Sequence, residues 1–164
     1  MEKEKFYFFW KHRLSQWHMQ NFSVNGLVFS CAEQYMMYSK ARVFHDYESL
    51  EKIMEATHPR QMKELGRTVK NFVKEEWDSV SSTYVFIGNY NRFSQNEDEK
   101  ELLFSTYPMT LVEASPYDKI WGIGLSENDP RTLNKESWLG ENRLGYVLTE
   151  VRNILYFKNQ VNME

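Results

Sequence analysis

Asn71-Phe-Val-Lys-Glu-Glu-Trp77-Asp-Ser-Val80-Ser-Ser-Thr-Tyr84-Val-Phe-Ile87-Gly88-Asn-Tyr90-Asn-Arg-Phe93-Ser-Gln95 decides the fold class. Phe72, Trp77, Val80, Tyr84, Ile87, Tyr90 and Phe93 recur mostly at steps of three and four residues. That spacing lines one face of an α-helix, and it is sustained too long for a strand. Gly88 weakens the helix locally, but no proline interrupts it. A long amphipathic helix over 71–95 is therefore predicted.

Further helices follow on both sides. Ser30 and Glu33 have the spacing of a capping box, predicting a helix from about Ser30 to Phe44. Asp46 can cap the next helix, through about Thr57, and His58-Pro59 opens a third that ends near Gly66. An acidic helix is predicted over Glu97–Phe104, and another from about Leu139 to Tyr156, where Leu144, Val147, Leu148, Val151 and Leu155 keep helical spacing. Strand signals are fewer. They are the aromatic run Lys5–Trp10, the Asn25-Gly26 hairpin between Phe22-Ser-Val and Leu27-Val-Phe, and an extended Met109–Glu113. The expected fold is α+β: a predominantly α-helical single domain over residues 1–164 with a small antiparallel sheet.

The chain has 164 residues, 41% hydrophobic and 26% charged, enough for one domain with a real core. Aromatic residues reach 16%, which suits core packing and, at some positions, stacking on planar ligands. A net charge of −3 gives no global field toward nucleic acid or an anionic membrane. The single cysteine, Cys31, can neither close an intramolecular disulfide nor complete a zinc site alone, and reads as a small buried hydrophobe. The amino terminus lacks the apolar core of a secretion signal, and no run approaches the ~18 apolar residues of a membrane span. A cytoplasmic protein without membrane partners is expected. His12, His18, His45 and His58 lack metal-ligand spacing, and no phosphate-binding glycine loop or nucleophile elbow occurs. No metal and no cofactor are expected.

Three segments carry the candidate chemistry. In Cys31-Ala-Glu33-Gln-Tyr-Met-Met37-Tyr-Ser-Lys40, positions 33, 37 and 40 share a helix face. Glu33 and Lys40 then lie about 10 Å apart along the axis, with Lys40 leaning back toward Glu33. Charge on so apolar a helix is informative because unpaired buried charge is costly; a structural ion pair or a solvated face accounts for the same residues. Val112-Glu113-Ala-Ser-Pro116-Tyr-Asp118-Lys-Ile-Trp121-Gly122-Ile-Gly124-Leu125 sets two carboxylates and an indole beside a proline-marked turn. It reads equally as a pocket rim or as turn carboxylates with Trp121 in the core. Trp138-Leu-Gly140-Glu-Asn142-Arg-Leu-Gly145 precedes a helix whose free amides can bind an anion, although an ordinary helix entry is the plainer reading.

The order and wording of these segments resemble the NADAR family (the NAD- and ADP-ribose-associated, YbiA-like domain). The resemblance rests on Phe9-Trp10, Leu14-Ser15-Gln16-Trp17, Phe29-Ser-Cys-Ala-Glu33-Gln-Tyr-Met-Met, Lys40-Ala, Arg92-Phe93-Ser-Gln-Asn, Leu111 to Asp118, Trp121-Gly-Ile-Gly-Leu, Trp138 to Asn142, Leu144-Gly145 and Val151-Arg152, across about 6–156. Ser15-Gln16-Trp17 and Arg92 depart from the family's usual Ser-Asn-Phe or Ser-Asn-Trp and lysine, a difference that bears on substrate choice.

The resemblance implies an N-glycosidase that cuts ribose from a nitrogenous base. One branch acts on phosphorylated intermediates of riboflavin biosynthesis, and another removes ADP-ribose from modified guanine. The partner is then a small ribosyl or ADP-ribosyl substrate or an ADP-ribosylated nucleic acid. Glu33 and Asp118 become the expected catalytic carboxylates, because a fixed carboxylate stabilises the oxocarbenium-like state. Lys40 is expected to neutralise phosphate or to attack the open-chain sugar aldehyde. Trp77, Trp121 and Trp138 are candidates to stack on the base, and Ser15, Gln16 and Asn142 to bind sugar or phosphate oxygens. Trp17, Glu113, Gly122 and Gly140 complete the expected binding set. The same pocket would serve a non-hydrolytic ADP-ribose or NAD-binding module, from which the carboxylates distinguish an enzyme. A purely structural interaction domain leaves the polar tryptophan-glycine words unexplained.

Overall fold

The computed structural model describes residues 4–162. In chain order its elements are β1 (Phe6–Phe9), β2 (Phe22–Val24), β3 (Leu27–Phe29), α1 (Ala32–Val43), α2 (Tyr47–Glu55), α3 (Pro59–Arg67), α4 (Lys74–Gln95), α5 (Glu97–Ser105), β4 (Thr110–Glu113) and α6 (Arg143–Val161). Short 3-10 turns cover Pro130–Leu133 and Lys135–Ser137. The helix-dominated α+β fold expected from the sequence is thus present. It resolves into two compact units, one of residues 1–15 with 97–164 and one of residues 16–96.

In the unit of residues 16–96, α1 is the hub, packing on α2, α3 and α4. Every residue from Cys31 to Met37 is buried, as a helix surrounded by neighbours requires. The β2–β3 hairpin is antiparallel and turns at Asn25 and Gly26, both at positive φ (50° and 82°), the backbone that an Asn-Gly pair favours. Phe22, Phe29 and Tyr35 form one aromatic core, against which Tyr38, Tyr84 and Ile87 pack. Cys31, Ala56 and Met62 form a second. Burial pushes the Cys31 thiol pKa up, consistent with an inert, apolar role.

The capping reading of α1 shifts by one residue. Cys31, not Ser30, is the N-cap, and it makes no side-chain cap bond. The reach-back belongs to Gln34, whose Oε1 accepts from the Ser30 amide at 2.7 Å and the Ser30 hydroxyl at 3.0 Å. Glu33 is thereby released from capping. Asp46 caps α2 as expected: its Oδ1 accepts from the Ser49 amide at 3.2 Å, while Oδ2 accepts from the Lys70 amide at 2.8 Å.

The other unit corrects the sheet. β1 and β4 pair in parallel, with Phe6 opposite Thr110 and Phe9 opposite Glu113, so among the described residues only the hairpin is antiparallel. The partners lie about a hundred residues apart in sequence, and periodicity along one strand carries no information on its partner's direction. Val112, Ala114, Ile123 and Leu125 form the core here, with Phe6, Phe8 and Trp138 against it. Helix α6 begins at Arg143 rather than near Leu139, because Asn142 is left-handed (φ 54°) and breaks the helical path.

Asp46 ties the start of α2 to the chain that leaves α3, so Asp46→Ala should lower unfolding free energy by about 2 kcal/mol in urea melts. The amides of Lys70 and Ser49 hold its carboxyl below the ordinary carboxylate range. A depressed carboxylate adds stability above its unfolded-state pKa and loses it as pH falls through the folded one. The gap between wild type and Asp46→Ala should therefore shrink on acidification below about pH 4.

Candidate functional site

The unit of residues 16–96 holds five of the expected residues, Gln16, Trp17, Glu33, Lys40 and Trp77. The Glu33 amide donates to the Gln16 carbonyl at 2.9 Å, so the segment carrying Trp17 is fastened to the first turn of α1. Glu33 is only 6% exposed. Two turns on, Lys40 is half-buried and donates from Nζ to the Gly66 carbonyl at 2.7 Å, with the Phe72 ring 4.2 Å away. Gly66 has no room for a side chain, because a Cβ there would lie 1.9 Å from the Met37 sulfur. Close approach of α3 to α1 is what brings that carbonyl to Lys40.

Burial pushes the Lys40 ammonium below the ordinary lysine pKa; Glu33 opposes the shift and Arg67 adds to it. Glu33, Lys40 and Arg67 therefore form one electrostatic group. Arg67 was missed in the sequence because a charged residue at a helix end reads as solvated. Gln16 is turned inward rather than toward a ligand. Its Nε2 reaches the Met36 sulfur at 3.7 Å and its Oε1 accepts from Asn89 at 2.7 Å. Asn89, fully buried on α4, was also missed; among the described residues its Oδ1 has no hydrogen-bond partner. Trp17 is 37% exposed, with the His58 ring edge-on to it. Trp77 is no open stacking plate: it is buried and stacks on Tyr84, with centroids 6.2 Å apart. An apolar indole on the inner face of α4 gains more from the core than from solvent.

The other unit holds the remaining expected residues. Ser15 is half-buried, and its amide closes a turn on the His12 carbonyl. Glu113 ends β4, and the chain then folds around Asp118, whose Oδ1 accepts from the Ile120 and Trp121 amides at 2.9 and 2.8 Å. Its carbonyl accepts from the Gly124 amide. Gly122 and Gly140 are demanded by close approach, since a Cβ at 140 would meet the Gly122 carbonyl at 2.3 Å. Trp121 is half-buried.

Asn142 and Trp138 serve the framework here. Asn142 is fully buried; its Oδ1 accepts from the Glu113 amide at 2.9 Å and its Nδ2 donates to the Leu111 carbonyl at 3.1 Å, which uses both ends of the side chain. Trp138 packs edge-on to Phe6 and donates its indole N–H to the Thr132 carbonyl. The start of α6 is not an open anion site either, because the Arg143 and Leu144 amides donate to the carbonyls of Ile120 and Trp121. Among the described residues no group of three or more His, Cys, Asp or Glu could hold a metal, and no helix is long and apolar enough to cross a membrane.

The Glu33 carboxylate favours the Lys40 ammonium. Glu33→Gln should therefore lower the Lys40 pKa further, read from the pH dependence of its side-chain NMR signal or of its labelling by an amine reagent. An unchanged midpoint would break the pairing.

Comparisons with known proteins agree with the motif order. The NADAR domain model matches residues 7–156. The chain is 42% identical to N-glycosidase R617 of Acanthamoeba polyphaga mimivirus, over 93% of this chain and 97% of that protein. It is 44% identical to protein irg-1 of Caenorhabditis elegans over 82% of this chain, and there it spans 64% of the nematode protein's length. N-glycosidase YbiA of Escherichia coli is 29% identical over 80% of this chain and 74% of that one. The NMR structure of E. coli YbiA superposes with a TM-score of 0.78 at 24% identity, covering 98% of this chain and 90% of that one, which establishes the shared fold. With a family model matched across nearly its whole length, this chain belongs to the NADAR domain family.

Proposed function

We propose that this protein hydrolyses the bond between a phosphorylated ribose and a nitrogenous base, with Glu33 and Asp118 as its carboxylates and Lys40 as its reactive or charge-balancing amine. Family membership and the 42% identical N-glycosidase make it a hydrolase acting on N-glycosyl bonds; the substrate and the residues are the proposal. Phosphorylated intermediates of riboflavin biosynthesis are one substrate class, and ADP-ribosylated guanine is the other.

One observation carries this reading: a carboxylate and an amine are held within electrostatic reach on the most buried helix of their unit. Buried charge costs several kcal/mol, and titratable groups kept buried cluster at sites where they meet developing charge. As the C1–N bond lengthens, positive charge grows at C1 and on the ring oxygen. A carboxylate fixed in a dry site stabilises that charge without reorganising. Water then supplies the oxygen that bonds to C1, and the base departs with the bonding electron pair and a proton. Lys40, pulled below the usual lysine range, can supply that proton as an ammonium or attack the sugar aldehyde as a free amine. A module that only bound ADP-ribose or NAD would need no carboxylate paired with an amine of lowered pKa.

Asp118 also shapes its turn, so the test must separate charge from acceptor. Asp118→Asn keeps an oxygen for the two amides and removes the charge. It and Glu33→Ala should each lower turnover at least about a hundredfold, with circular dichroism unchanged. Near wild-type turnover in both variants would overturn the assignment. Borohydride added during turnover decides the role of Lys40: an adduct at that residue supports amine attack, and its absence leaves charge balance.

A further inference from the structure

Helix α3 presents Arg60, Lys63, Glu64 and Arg67 at positions i, i+3, i+4 and i+7, which share one helix face. Together with Trp17 they line a cavity of about 300 Å³ in the unit of residues 16–96. Three cations against one carboxylate is a strongly positive lining, set in a chain whose net charge is −3. Among the described residues none of the three cations is ion-paired with a carboxylate. Lys63 instead sits 5.8 Å from the centroid of the Trp17 ring, which His58 props edge-on from another side. The His58 ring is itself fixed, because its Nδ1 accepts from the Arg60 amide at 3.1 Å. Arg67 links the lining to the centre already described, since its charge is felt at Lys40.

We propose that this groove is the phosphate subsite of the hydrolase: Arg60, Lys63 and Arg67 take the phosphoryl oxygens of the ribosyl substrate, and Trp17 packs against its planar ring. The proposal rests on the hydrolase reading and deepens it. Guanidinium groups match phosphate oxygens in pairs, an indole offers a flat apolar plate, and lysine adds a point charge. It also divides the labour. Lys40 is already bound to the Gly66 carbonyl beside the Phe72 ring, whereas among the described residues the α3 cations are paired with no carboxylate. The phosphate charge falls to α3, and Lys40 remains for chemistry at C1. A 5′-phosphomonoester and the diphosphate of an ADP-ribosyl group share this recognition chemistry.

Calorimetric titration of the intact protein tests it, with adenosine 5′-monophosphate, adenosine, ribose 5-phosphate and ADP-ribose as probes. The monophosphate should bind at least about tenfold tighter than adenosine. Arg60→Glu and Lys63→Glu, both on a solvent-facing helix surface, should each erase that advantage while circular dichroism stays unchanged. Trp17→Ala should weaken adenosine 5′-monophosphate and leave ribose 5-phosphate unaffected. Ribose 5-phosphate matching ADP-ribose assigns the groove to a monoester; ADP-ribose binding tenfold tighter assigns it to the diphosphate. Equal affinity for the monophosphate and adenosine, or wild-type affinity in both charge-reversed variants, overturns the subsite. Hydrolysis persisting in those variants with unchanged KM would sink the subsite and spare the hydrolase. A phosphate preference lost on charge reversal in a protein that hydrolyses nothing would do the opposite.

Discussion

A helix enclosed by three others has almost no water in which to place a charge, and α1 nevertheless carries Glu33 and Lys40. That constraint organises its whole unit. The Lys40 ammonium is met by the Gly66 carbonyl, left open in the last turn of α3, and glycine at 66 lets α3 approach Met37. The Glu33 backbone must be met as well, and the Gln16 carbonyl does so, anchoring the loop that presents Trp17. Gln16 is in turn held by Asn89 on α4. These contacts together fix the positions of Lys40, Glu33 and Trp17 in the proposed centre.

The other unit solves a different problem, that of a loop with little regular structure between β4 and α6. Its solution is a set of side-chain acceptors and donors that stand in for a sheet. Asp118 gathers two amides, Asn142 bridges the Glu113 amide and the Leu111 carbonyl, and Gly122 and Gly140 let backbones meet where a methyl group would clash. Such an arrangement explains why tryptophan-glycine-asparagine words occur here without each residue touching a ligand. Rigid loops of this kind are also where binding groups can be held at low cost in mobility.

Most helices were legible because burial and period agree. The Trp77–Phe93 stripe, the Asp46 cap and the Pro59 start each follow from local chemistry that the fold does not override. What could not be read was long-range. The parallel β1–β4 pair depends on a partner far along the chain, and the α6 boundary on the left-handed Asn142. Within the candidate site, side-chain type was visible but direction was not. Gln16, Asn142 and Trp77 carry groups that suit a ligand, yet their atoms are spent on Asn89, on β4 and on Tyr84. Arg67 shows the converse, since its bearing on Lys40 follows from the packing of α3 on α1.

Placing phosphate on α3 has a consequence for the chemistry on α1. Burial is the main cause of the lowered Lys40 pKa; Glu33 opposes it and Arg67 adds to it. A phosphate dianion at Arg67, as proposed, would offset the Arg67 effect and leave that of Glu33 in force, favouring the ammonium form of Lys40. Linkage makes this reciprocal: the ammonium favours the phosphate as much as the phosphate favours the ammonium. Proton donation to a departing base requires that form, whereas attack on a sugar aldehyde requires the free amine. If the proposed groove holds the phosphate, its electrostatics weigh toward acid catalysis by Lys40.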